Sequence, residues 1–160
     1  MKKVVLYLFF ILSLIAGIWI YLQQGTAPTW ITGNLLAVQC ILISSLGGSL
    51  YCLRGVYLNK SVKNNWDKEW ETWYYVRPPV SAITGLIAFI FMKAGLIVLE
   101  ADSTVSASNF GYLAFAFIAG FNVDKFLAKL EDIAKSVFGI DKSRSANTTT
   151  EDSKKKKESK

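Results

Sequence analysis

From Val4 to Leu53 no residue is charged, a run long enough for two membrane-crossing helices of ~20 residues each with a turn between them. Gln23, Gln24, Gly25, Thr26, Ala27, Pro28 and Thr29 are polar or helix-breaking, so they divide the run into a first span over 4–22 and a second over 30–53. Charges return at Arg54 and persist to Arg77. A third apolar stretch then covers 78–99 and a fourth covers 105–123. Ser106, Ser108 and Asn109, with a high share of Gly and Ala, make the fourth less hydrophobic than the third, and a buried or re-entrant position tolerates such polarity better than a lipid-facing one. The pattern predicts an all-α integral membrane protein built as a four-transmembrane-helix bundle.

Between the second and third spans, Val62, Trp66, Trp70 and Trp73 recur at helical spacing, with Lys63, Asp67, Lys68, Glu69 and Glu71 around them. That spacing predicts a cytoplasmic interfacial helix over 61–75 with its tryptophans at the headgroup boundary, where an apolar ring with one polar N–H is well placed. Arg77-Pro78-Pro79 is expected to end this helix and open the third span, since proline disfavours helical geometry in its predecessor but suits a first turn. Arg77 would then reach lipid phosphate. Beyond the fourth span, Asn122 can cap an amphipathic helix over 123–138. Its stripe comprises Val123, Phe126, Leu127, Leu130, Ile133, Ala134, Val137 and Phe138, and Gly139 ends it. The residues 140–160 are too poor in apolar groups to fold and predict a disordered cytoplasmic tail.

Composition strengthens the membrane reading. Of the 160 residues, 52% are hydrophobic and 14% aromatic, and the mean hydropathy is +0.31 despite the polar tail. The net charge of +6 arises from 18 Lys and Arg against 12 Asp and Glu, and its distribution sets the orientation. The short connections at Gln23 to Thr29 and Glu100 to Thr104 hold no Lys or Arg, whereas Lys2, Lys3, Arg54, Lys60, Lys63, Lys68, Arg77, Lys125, Lys129, Lys135, Lys142 and Arg144 all fall on the other side. Basic residues stay cytoplasmic, which places the N-terminus, the central loop and the C-terminus there. Met1-Lys2-Lys3 before an apolar run also suits a signal peptide; the length of the run and the lack of a small-x-small cleavage site favour a retained helix.

Histidine is absent, removing the usual general base and the commonest metal ligand together. Cys40 and Cys52 sit twelve residues apart, ~18 Å along one helix and beyond disulfide reach. With no phosphate-binding glycine loop, metal-ligand cluster or acidic pair inside a span, neither an enzyme nor a cofactor is expected.

Small residues four apart recur in the spans: Ser13 and Gly17, Ser44 and Gly48, Ser45 and Ser49, Ser81 and Gly85, Ala116 and Gly120. They predict close helix packing within a bundle or a homo-oligomer. Lys93 is the only charged residue within a span. It either snorkels to the outer interface or faces a lumen or another span, with Gln39 of the second span as its candidate polar partner. In the tail, Lys154, Lys155, Lys156 and Lys157 form a basic cluster suited to anionic lipid. No aromatic residue stands beside them to stack on bases, so nucleic acid is not an expected partner.

Tyr75-Val76-Arg77-Pro78 entering a span, Lys93-Ala94-Gly95-Leu96 near its exit, and Ala114-Phe115-Ala116-Phe117-Ile118-Ala119-Gly120-Phe121 before an amphipathic helix resemble a pattern of small uncharacterised bacterial four-span inner-membrane proteins. The resemblance covers about residues 70–135 and implies a bacterial inner-membrane location, with no activity attached. Two functions fit the chain: an oligomeric anchor or scaffold that recruits a cytoplasmic protein partner, and a pore or channel, holin-like or membrane-disrupting, with Lys93 and Gln39 toward the lumen.

Overall fold

The computed structural model describes residues 2–25, 28–62, 68–96 and 109–139. Every element among them is helical. Helix α1 (Lys2–Gln23) is followed by a short helix α2 (Thr29–Thr32), a long α3 (Leu35–Tyr57) that widens into a π-helical turn at Leu58–Val62, and a 3₁₀ turn at Lys68–Trp70 leading into α4 (Glu71–Lys93). Helices α5 (Asn109–Phe121) and α6 (Val123–Phe138) complete the order. Among the described residues three helices are long and apolar enough to cross a membrane: Lys2–Gln23, Leu35–Val62 and Glu71–Lys93. At ~1.5 Å per residue, 22 residues extend ~33 Å, matching a hydrocarbon core of ~30 Å. The 13 residues of α5 reach only ~20 Å; the remainder of the expected fourth span, residues 105–108, lies outside the described residues.

The elements group into two units, Met1–Val123 and Asp124–Lys160. In the first, α3 is central: α4 and α5 pack on it and on each other, while α1 lies against α3 and α4. Val4 and Leu8 of α1 are fully buried with Cys52, Val56 and Tyr74, and Ile15 and Leu22 with Leu42 form a second cluster. The opposite face of α1 points outward, with Leu6, Phe9, Phe10 and Ile20 each more than half exposed. That is how an apolar helix looks when lipid takes the place of a protein partner.

The boundaries of α4 differ from those the sequence suggests. The segment 68–75 does not belong to a separate surface helix: from Glu71 it is continuous with the apolar run, and Pro78 and Pro79 lie inside the helix. An interior proline removes one amide donor and leaves the carbonyl four residues earlier without its partner. For Pro79 that carbonyl is Tyr75 O, and the Tyr7 hydroxyl of α1 donates to it at 3.0 Å. At its other end α4 stops at Lys93 and not near Leu99. Gly95 takes φ +71°, while its amide bonds Met92 O and the Leu96 amide bonds Phe91 O, each at 3.0 Å. This is a Schellman cap, which requires the left-handed backbone that glycine adopts without steric cost.

In the second unit α6 is amphipathic. Phe126 is buried and Leu130, Ile133 and Ala134 are partly so, while Asp124, Lys125, Lys129, Asp132 and Lys135 are exposed. The helix closes as expected at Gly139, whose amide bonds Lys135 O at 3.0 Å.

Candidate functional site

The closest approach in the bundle is made by small residues of α3, α4 and α5. Ser44 Oγ donates to Ser81 O at 2.5 Å, and Ser81 Oγ lies 3.1 Å from Gly120 O and 2.9 Å from Arg77 O, sharing its proton between two carbonyls. Ser44 and Ser81 are fully buried. A Cβ on Gly48 would collide with the Ser81 side chain, one on Gly85 would fall 2.6 Å from Cys40 O, and one on Gly120 would overlap the backbone and hydroxyl of Ser44. Ala116, also fully buried, lies one turn before Gly120. Of the small-residue pairs, those on α3, α4 and α5 are therefore at helix crossings. Ser13 and Gly17 are exposed, and a Cβ on Gly17 would meet nothing within 4 Å.

Toward the start of α4 the contacts become aromatic. Arg77 is only 5% exposed. Its Cζ lies 5.0 Å from the Tyr51 ring centroid and 5.2 Å from that of Trp73, so two π-faces take the guanidinium. The sequence suggested a lipid-facing arginine, and the reason for the difference is the continuity of α4: helical geometry through Pro78 turns Arg77 inward beside Trp73. The rings brace one another, with Tyr51 edge-on to Phe121 at 5.4 Å and Trp73 edge-on to Tyr74 at 5.1 Å. Of the three tryptophans expected on one lipid-facing stripe, Trp70 is 60% exposed, Trp73 is half-buried in this cluster, and Trp66 lies outside the described residues.

Beside the cluster a groove of about 260 Å³ is lined by Tyr51, Arg54, Gly55, Leu58, Asn59, Trp70, Trp73 and Tyr74. Asn59 Nδ2 donates to Tyr74 Oη at 3.1 Å, tying the turn after α3 to α4. Sequence reasoning missed Tyr51, Asn59 and Tyr74. The available signal was the clustering of aromatic side chains where the charge-free run gives way to Arg54.

Near the other end of α4 a second groove, of about 310 Å³, is lined by Gly33, Asn34, Leu36, Ala37, Phe89, Lys93, Asn109 and Tyr112. Lys93 is exposed there, with Nζ 5.5 Å above the Phe89 ring. Gln39 is half-buried on α3 and is not part of this lining, so the structure does not bring the two polar residues together in that groove. Lys154, Lys155, Lys156 and Lys157 lie outside the described residues. Among the described residues no three His, Cys, Asp or Glu side chains converge as metal ligands would.

Comparison with protein-family models, with curated proteins and with solved structures gives no match to this chain.

Proposed function

We propose that the chain is a multi-pass anchor of the bacterial inner membrane that self-associates and holds a cytoplasmic protein partner at the membrane surface. The single observation that carries this reading is the seam of Ser44, Gly48, Ser81, Gly85 and Gly120. Side-chain hydroxyls there touch backbone carbonyls of neighbouring helices, and no Cβ fits at the glycines. A seam this close leaves no room for a conduit between α3, α4 and α5 of one copy, which favours an anchor over a pore through the single bundle. Around it stand exposed apolar side chains, among them Phe10, Ile83, Phe110 and Ile118, which suit contact with lipid or with another copy.

In this reading α5 makes a fourth and shorter crossing, with the bilayer adapting to its length. The basic residues that follow α3 and α5 face the cytoplasm, where the exposed Trp70 and the exposed Leu127 of α6 are surfaces offered to a partner or to the leaflet. Expression in cells loaded with a potential-sensitive dye tests the choice between anchor and pore. The anchor reading expects an unchanged potential while the protein accumulates in the membrane fraction. Prompt depolarisation, abolished by Lys93→Leu, would overturn it in favour of a pore assembled from several copies.

A further inference from the structure

The groove between the end of α3 and the start of α4 has a composition that the anchor role does not explain. Among the described residues that line it, Arg54 is the one cation and stands with four aromatic rings, those of Tyr51, Trp70, Trp73 and Tyr74. Its depth is fixed by the sequence. Arg54 is the first charge after the charge-free run ending at Leu53, and on α4 the aromatic residues directly precede the apolar stretch that starts at Pro78. Both helices thus pass from apolar to polar at the level of the groove, which is where headgroups meet acyl chains in a bilayer.

We propose that this groove binds the phosphodiester headgroup of an anionic phospholipid from the cytoplasmic leaflet, with the Arg54 guanidinium on the phosphate and the rings of Trp70, Trp73 and Tyr74 against the glycerol and upper acyl carbons. The proposal rests on the membrane placement given above. Arginine presents paired N–H donors that match phosphate oxygens. Among the described residues that line the groove there is no carboxylate; Glu69 and Glu71 flank it in sequence. The positive end of the α4 dipole lies at the same place, because Trp70, Trp73 and Tyr74 belong to the cap and first turn of that helix. Burial of Arg77 between Tyr51 and Trp73 holds two of the walls in position before any ligand arrives, and a preformed site loses less on binding.

A soluble phosphate is a poorer match. A small hydrated anion gains little from four aromatic walls, whereas an amphiphile uses the cation and the rings together. Trp70, at 60% exposure, and Leu58 give the groove an apolar rim, continuous with where acyl chains would lie.

The test uses the full-length chain in detergent micelles, with Lys154, Lys155, Lys156 and Lys157 changed to Gln so that the tail contributes no lipid affinity. Tryptophan emission is followed during titration with a short-chain phosphatidylglycerol, the matching phosphatidylcholine, and glycerol 3-phosphate. Saturable binding of phosphatidylglycerol alone is expected. Arg54→Gln should weaken it about tenfold, the loss of one charge-assisted contact; Arg54→Lys, which keeps the charge but not the paired donors, should fall between Arg54→Gln and the natural chain, and Trp70→Ala, at an exposed position, also weakens it. Equal binding by Arg54→Gln, or equal binding of phosphatidylcholine, overturns the proposal. Equal binding of glycerol 3-phosphate replaces the lipid by a water-borne phosphate and overturns it too. Failure of the membrane reading itself shows separately, as recovery of the chain in the soluble fraction.

Discussion

The hydroxyl of Tyr7 donates to the carbonyl of Tyr75 across the α1–α4 contact at 3.0 Å, and that carbonyl is the one Pro79 leaves without an intrahelical donor. The two rings also meet edge-on at 5.0 Å. A hydrogen bond between helices in an apolar surrounding contributes about 1 kcal/mol, so Tyr7→Phe should lower stability in detergent by about that amount. Pro79→Ala restores the missing amide, and in that background Tyr7→Phe should cost measurably less. A double-mutant cycle followed by thermal unfolding checks this; additive effects would show that the tyrosine does not act through the proline.

Helix packing gives a paired prediction. Gly120→Ala places a methyl group against Ser44 and should destabilise by roughly 2 kcal/mol or more, as overpacking does. Gly17→Ala meets open space and should be neutral or stabilising within about 1 kcal/mol. Unfolding midpoints of the two variants, measured side by side, should differ in sign or strongly in size.

Arg77 supports the aromatic cluster through its planar guanidinium. Arg77→Lys keeps the charge but cannot stack flat on Tyr51 and Trp73, so it should lose about 1–2 kcal/mol. The near-ultraviolet circular dichroism of the tryptophans should weaken with it. An unchanged spectrum would mean that the rings keep their places without the arginine.

Much of this architecture was legible in the residues, and its departures have identifiable physical causes. The charge-free run and the breakers at Gly25 and Pro28 placed α1 to within two residues, while α3 starts five residues later and ends four later than the run suggests, because hydropathy marks an apolar segment but not its helix ends. Gly139 marked the end of α6 for a local reason. Pro78-Pro79 pointed the other way: local rules start a helix there, and the aromatic contacts of Tyr74 and Tyr75 with α1 and α3 override them. Gly95 carried the signal for the early end of α4, but hydropathy continuing through Leu96-Ile97-Val98-Leu99 concealed it. For the candidate site, Ser44, Gly48, Ser81, Gly85 and Gly120 were visible as a spacing, whereas the groove around Arg54 depends on how α3 and α4 approach one another, which no single helix encodes.

Cys40 and Cys52 are fully buried. N-ethylmaleimide should modify neither in the folded protein and both after denaturation, as read by mass spectrometry. Modification of the native chain would show that the α3 packing opens on the labelling timescale.

The same inertness lets single cysteines report sidedness in the otherwise natural chain. With Gln24→Cys, Ser61→Cys, Ser103→Cys and Ser145→Cys expressed separately, a membrane-impermeant thiol reagent applied from the periplasmic side should label positions 24 and 103 and spare 61 and 145 until the cells are lysed. Labelling of 61 and 145 from opposite faces of the membrane would contradict the arrangement on which the anchor reading and the lipid groove both stand.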